Sequence, residues 1–78
     1  MADVNSLIAL GMAPEQAKAI VSCKATDYDV DDLVALGFQA NLAAYIADFG
    51  TTAPTVLGLM NLGLPAALAV DVEVIINA

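Results

Sequence analysis

Apolar and polar positions along this chain follow a pattern that repeats every 26 residues. The three stretches align without a gap and together account for all 78 residues. The positions identical in all three are valine (4, 30, 56), leucine (7, 33, 59 and 10, 36, 62), glycine (11, 37, 63) and alanine (17, 43, 69). A fixed period of this length is typical of repeat architectures. The sequence therefore predicts one domain, residues 1–78, built from tandem units at about 1–26, 27–52 and 53–78.

Each unit has the pattern of two short helices joined by a glycine turn. Asp3, Asp29 and Thr55 carry side-chain oxygens that suit a helix N-cap, and an amphipathic apolar stripe follows each of them. The glycine then suits a left-handed turn, and Pro14 suits the first turn of a second helix. We predict an all-α fold of three helical hairpins, each stabilised by its neighbours. Gly37→Val should disrupt the middle hairpin.

The C-terminal stretch has a different pattern. Over residues 70–77, apolar and acidic residues alternate before two consecutive isoleucines. Alternation with β-branched residues favours an extended strand, which would pair with a partner's sheet edge or with a copy of itself. We predict a possible β-strand over residues 70–77. The alternative is a final helical segment that packs Val72 and Ile76 inward.

The chain has more apolar residues than a small monomer easily buries. Hydrophobic residues make up 60% of the sequence, against the roughly 45–50% usual in soluble domains. A domain of this size buries only about 60% of the surface that its unfolded chain exposes. We therefore expect contacts with other chains, as a homo-oligomer or as multiple copies on a larger partner.

The charge balance restricts the classes of partner. Nine acidic residues oppose only Lys18 and Lys24, for a net charge of −7. Because nucleic-acid binding relies on Lys and Arg contacts to phosphates, we expect no nucleic-acid partner. The uncharged segment 49–70 is long enough to span a bilayer, but its prolines and glycines would leave backbone groups unpaired in lipid. We expect no membrane association, and the charge favours a basic protein partner.

The candidate chemical groups do not form a recognisable active site. The aspartates of segment 27–32 could suggest a calcium loop, but the loop's required Gly and Glu places hold Asp32 and Phe38. A capped helix start explains these acids better. Cys23 has no histidine to activate it and is expected to be a small buried hydrophobe. We predict no enzymatic activity, no cofactor and no metal.

Apolar side chains are the remaining candidates for function. The residues after the glycines and the apolar residues near the C-terminus have two interpretations. They are either core residues or residues that dock onto a larger surface. The predicted partner-binding residues are Met12, Phe38, Leu64, Val72, Val74, Ile75 and Ile76.

The unit cores resemble helical hairpins of small bacteriophage virion proteins. These segments are LIALGMAPEQAKAI, LVALGFQANLAAYI and LMNLGLPAALAV. Such hairpins, of the form L-x-x-L-G-[MF]-x-x-x-x-A-x-x-[IV], occur in decoration, head-fibre and other capsid-associated chains. The resemblance implies a non-enzymatic virion protein that binds a larger capsid or tail protein, as a cement, decoration or fibre-base component.

The same motif is also similar to the helix, glycine turn and helix of ubiquitin-associated domains. In that family the residue after the glycine, here Met12 or Phe38, contacts the apolar patch of ubiquitin. This second resemblance implies a peptide or protein recognition module, which in a cell would be cytoplasmic.

Overall fold

The computed structural model describes residues 3–23, 25–26, 28–49 and 51–77. Over these residues the chain forms six α-helices and no strand, so the predicted all-α class is confirmed. The helices are α1 (Val4–Ala9), α2 (Pro14–Ser22), α3 (Val30–Ala35), α4 (Ala40–Ala47), α5 (Val56–Asn61) and α6 (Ala66–Asn77). The first helices of the three pairs start 26 residues apart, at 4, 30 and 56, and so do the second helices, at 14, 40 and 66.

The first helix of each pair begins at the predicted N-cap. The Asp29 carboxylate accepts a hydrogen bond from the Asp32 amide at 2.8 Å, and the Thr55 hydroxyl accepts one from the Gly58 amide at 3.0 Å. Asp3 accepts from the Ser6 amide, and the Ser6 hydroxyl accepts in return from the Asp3 amide, which completes a capping box. Each cap satisfies an amide that the helix itself leaves without an acceptor.

The three glycines end the first helices in the same way. Their φ angles lie between 101° and 107°, in a left-handed region that residues with a Cβ atom avoid. In the first unit, the Gly11 amide donates to the Ile8 carbonyl and the Met12 amide donates to the Leu7 carbonyl. The other two units have equivalent bonds. These two bonds define a Schellman motif, which reverses the chain and turns the residue after the glycine back toward the helix.

The hairpins pack into a closed arrangement. Within each pair the two helices pack on each other, and α6 packs in addition against α1 and α2. The third hairpin therefore returns to the first. The Cα radius of gyration is 10.9 Å, slightly below the value of about 11.5 Å expected for a compact domain of this length.

Equivalent side chains from the three units form the core. Their exposure is at most 1%, and they are Leu7, Leu33 and Leu59; Ala17, Ala43 and Ala69; and Ile20, Ile46 and Val72. The small alanines allow each second helix to approach its neighbouring helices closely, while the leucines and β-branched residues fill the centre of the core. Of the five positions that are identical in all three units, the leucines 7, 33 and 59 and the alanines 17, 43 and 69 thus meet in the core, whereas Leu10 and Val30 are exposed.

The predicted β-strand over residues 70–77 is wrong, because this segment belongs to α6. Val72 and Ile76 are four residues apart and are 0% and 2% exposed, whereas Val70 and Val74 face outward. In a strand these four side chains would share one face. The core buries Val72 and Ile76 and leaves Val70 and Val74 exposed. This burial determines the helical conformation of the segment, although its β-branched residues favour a strand.

Among the residues that the structure describes, no helix combines the length and apolar character needed to cross a membrane. The uncharged segment 49–70 instead contains α5, its glycine turn and the first residues of α6.

Candidate functional site

The three glycine turns lie together and line one concave surface, which we call the glycine-turn groove. Its volume is about 200 Å³. Each unit contributes its glycine, the next residue and one residue from its second helix: Gly11, Met12 and Gln16; Gly37, Phe38 and Leu42; Gly63, Leu64 and Leu68. Gln39 and Leu62 complete the lining. These three sets are separated by 26 residues each time, so each unit contributes the same three positions to the groove.

The lining of the groove is uncharged and mostly apolar. Met12 and Phe38 are 6% and 7% exposed, and Leu64 is half-buried. Gln16 is already engaged, since its Nε2 donates to the Leu36 carbonyl at 3.0 Å. The lining therefore offers van der Waals contacts and lacks a titratable or nucleophilic side chain. A cavity of roughly 150 Å³ can hold benzene, so the groove is large enough for one apolar side chain.

Polar contacts between neighbouring units hold the groove together. The Gln16 bond joins the first unit to the second, and the Tyr45 hydroxyl accepts from the Thr55 amide at 3.1 Å, which joins the second to the third. The Ser6 hydroxyl donates to the Asp71 carboxylate at 2.6 Å, which joins the third unit back to the first. Each of the three units is consequently joined to the other two.

Two of these junctions use equivalent positions. Tyr45 and Asp71 are separated by 26 residues, and Ser6 and Gly58 by twice that number. Asp71 bonds Ser6, and Tyr45 lies over Gly58, where a Cβ atom would meet its hydroxyl at 2.7 Å. The same face of the second helix therefore contacts the first helix of the following unit at both junctions.

The predicted partner-binding residues fall into two separate regions. Met12, Phe38 and Leu64 line the groove, whereas none of the predicted residues of α6 does. Within α6, Val72 and Ile76 are buried in the core and their side chains are not at the surface, Ile75 is half-buried, and Val74 is 47% exposed. The structure thus brings the turn residues together and leaves Val74 as the accessible member of the C-terminal set.

Sequence reasoning missed the second-helix residues of the groove and the exposed apolar residues of the third unit. Leu42 and Leu68 occupy the same position of the 26-residue period as Gln16. Their location beside the glycine turns could therefore have been predicted from the period. Leu57 and Val70 are 68% and 49% exposed. The exposure of Leu57 and Val70 could have been predicted from the other units, because the equivalent positions there hold Asn, Asp, Lys or Ala.

The other candidate groups have structural roles in the described residues. The Asp29 carboxylate caps α3, while Asp27 lies outside the described residues. No group of three or more acidic, cysteine or histidine residues in the described part of the chain is arranged to hold a metal ion. Cys23 is 8% exposed, and its thiol donates to the Ile20 carbonyl at 3.0 Å.

When the chain is compared with protein-family models, with curated proteins and with solved structures, none of the three comparisons gives a match.

Proposed function

We propose that this chain is a non-enzymatic structural protein of a virus particle that binds a larger capsid or tail protein. It would act as a cement, decoration or fibre-base component. The observation that carries the proposal is the glycine-turn groove, where all three units contribute uncharged residues to one concave surface without a reactive group. Such a surface can receive an apolar side chain of a partner, and buried anchors of this kind dominate binding energy at protein interfaces.

The composition and the resemblance to virion hairpins agree with a structural role. Besides the core, the described residues include nine larger apolar side chains that are exposed, Leu57 and Met60 among them. A component present in many copies needs only modest affinity per copy, because simultaneous contacts on a repeating surface reinforce one another. The net charge of −7 favours a partner with a basic surface.

Incorporation into particles tests the proposal. The tagged chain, expressed from its own locus, should appear in gradient-purified particles at a fixed ratio to a capsid or tail protein. Leu64→Lys places a charge at the groove and should reduce incorporation at least about tenfold, since a buried unpaired charge at an interface is costly. Met60→Lys is the matched control, because Met60 lies in the same unit, is 43% exposed and does not line the groove.

The outcomes separate the two parts of the proposal. Absence of the wild-type chain from particles would refute a virion role. Equal incorporation of both variants, with circular dichroism showing that both are folded, would refute the groove as the binding surface.

A recognition module of the ubiquitin-associated type predicts a different result. In that case ubiquitin should bind the residues after the glycines and expose Met12 and Phe38, which are buried in the free chain. We expect no chemical-shift changes at these residues when ubiquitin is added to the labelled chain. Saturable changes there would favour the recognition module.

A further inference from the structure

The outer face of α6 carries an apolar stripe between two acidic residues. Val70 and Val74 lie one helical turn apart and are 49% and 47% exposed. Each residue of an α-helix is rotated by about 100° from the one before it. Since Val72 points into the core, Asp71 and Glu73 must lie on opposite sides of the helix, flanking the exposed stripe. We call these four residues the α6 face: Val70, Asp71, Glu73 and Val74.

Both flanking carboxylates are held by neutral donors. Asp71 accepts from the Ser6 hydroxyl at 2.6 Å, and Glu73 accepts from the Asn77 side-chain amide at 3.0 Å. Both residues are half-buried. The only cationic side chains of the protein, Lys18 and Lys24, belong to the first unit. The α6 face is therefore an apolar strip with an acidic edge on each side.

The other units provide an internal comparison for this arrangement. At the positions equivalent to the two valines, α2 has Lys18 and Ser22, whereas the second unit has Ala44 within α4 and Asp48 directly after it. The flanking positions in α2 and α4 are not acidic. Packing of a second helix in this fold thus requires neither the exposed valines nor the flanking acids. Among the three second helices, the combination occurs in α6, which at 12 residues is also the longest.

We propose that the α6 face docks a basic amphipathic helix of the partner protein. This inference rests on the proposed function and adds the chemistry of the segment that the partner presents. An apolar ridge on the incoming helix would lie along Val70 and Val74, with Lys or Arg on either side reaching Asp71 and Glu73. Helix recognition through apolar residues spaced by three or four positions is a recurrent binding mode.

Charge complementarity selects this occupant over a second copy of the chain. Two copies meeting through the α6 face would bring the same acids together between molecules that each carry a net charge of −7. A basic helix instead pairs opposite charges around an apolar strip, as charged rims do at protein interfaces. At 1.5 Å per residue α6 is about 18 Å long, so it can align with roughly three turns of a partner helix.

Titration with model peptides tests the docking surface. The probes are a 15-residue peptide of Leu and Lys with leucines along one helical face, and the same peptide with Glu in place of Lys. The full-length chain should bind the Lys peptide and not the Glu peptide in isothermal titration calorimetry. Val70→Asn together with Val74→Asn should weaken binding about tenfold or more, because it removes the apolar strip and retains every charge.

The contribution of the two acids is measured with a charge-matched control. Asp71→Asn with Glu73→Gln should weaken binding of the Lys peptide about three- to tenfold and flatten its salt dependence. Asp31→Asn with Asp48→Asn removes the same charge from the second unit, at positions equivalent to Leu57 and Val74. This control pair should change affinity less than twofold if the contact is local rather than general attraction to an acidic protein.

Three results would overturn the inference. One is absence of binding to the Lys peptide, and another is equal weakening by the two charge pairs. The third is a concentration-dependent dimer in sedimentation that the two valine substitutions abolish, since it would assign the face to a second copy. The particle assay separates this inference from the proposed function. If the valine pair is incorporated normally while Leu64→Lys is not, the α6 docking face is refuted and the virion role stands.

Discussion

At the residue scale, the three units supply internal controls for one another, and the glycines show this best. Gly11 and Gly37 have φ angles of 107° and 104°. A Cβ atom at Gly11 would meet no atom within 4 Å, whereas one at Gly37 would lie 2.9 Å from Gln16 Nε2. The two glycines therefore share the same backbone requirement and differ in their steric surroundings.

Gly37→Ala should accordingly destabilise the protein more than Gly11→Ala. Both substitutions force an alanine into the left-handed region, at a cost of about 1–2 kcal/mol. Gly37→Ala also displaces Gln16 from the Leu36 carbonyl, which should add about 1 kcal/mol. Urea denaturation measures both free energies of unfolding. Introducing Gln16→Ala into each variant should remove the difference between their free energies of unfolding. A difference that persists would contradict the assigned contact between position 37 and Gln16.

Gly58 requires a separate explanation, because it lies in the first turn of α5 at a position that holds Ser6 and Asp32 in the other units. A Cβ atom there would lie 2.7 Å from the Tyr45 hydroxyl. The glycine thus accommodates a tyrosine where the equivalent junction has the shorter Asp71. Sequence inspection could not detect this pairing, since the two residues are distant in sequence and neither belongs to the repeated set.

We predict that Gly58→Ala destabilises the wild-type chain by about 1 kcal/mol or more, although alanine favours a helix by a similar amount. In a Tyr45→Phe background the same substitution should cost less, because the hydroxyl that makes the closest contact is gone while Thr55 Oγ1, at 2.9 Å, remains. Thermal unfolding of the four members of this double-mutant cycle gives the coupling energy. A coupling near zero would show that Tyr45 does not limit this position.

At the element scale, the sequence was informative where the three units agree and misleading where one differs. The caps at Asp3, Asp29 and Thr55 and the glycine turns were predictable, because they depend on local side-chain and backbone chemistry. The end of α6 was not, because alternation over residues 70–77 is compatible with either a strand or a helix. Burial of Val72 and Ile76 by the other helices determines the helix, and such tertiary contacts cannot be read from a local pattern.

The helical assignment of residues 70–77 predicts unequal costs for two similar truncations. Ile76→Ala removes a side chain that is 2% exposed and should cost about 2–4 kcal/mol. Val74→Ala removes one that is 47% exposed and should change stability by less than about 0.5 kcal/mol. Both residues would share one face of a strand. Similar losses in chemical denaturation of the two variants would therefore contradict the helix.

At the scale of the whole molecule, the 26-residue period predicted the hairpins but not how they close on one another. A stack of units would leave the first and third apart, whereas here the Ser6–Asp71 bond and the packing of α6 on α1 and α2 join them. Closure brings the three glycine turns into one groove instead of spacing them along a solenoid. The groove could not be derived from the period, because the same repeat is compatible with an open array.

A closed ring has no unique starting unit, so the chain should tolerate circular permutation between units. A permutant would join residue 77 to residue 3 through about eight Gly and Ser residues, comparable with the eight residues, 48–55, that separate α4 from α5. It would begin at Thr51 and end at Phe49. Because the core and all three junctions are retained, we expect cooperative unfolding and a Tm within about 10 °C of the original, with the main loss from the longer flexible closure.

Circular dichroism on heating provides the measurement, and the control is a chain opened at the Gly37 turn, inside a hairpin. Since that opening removes a Schellman turn of the groove, it should lower the Tm further, and equal stability of the two permutants would contradict the hairpin as the structural unit of the ring.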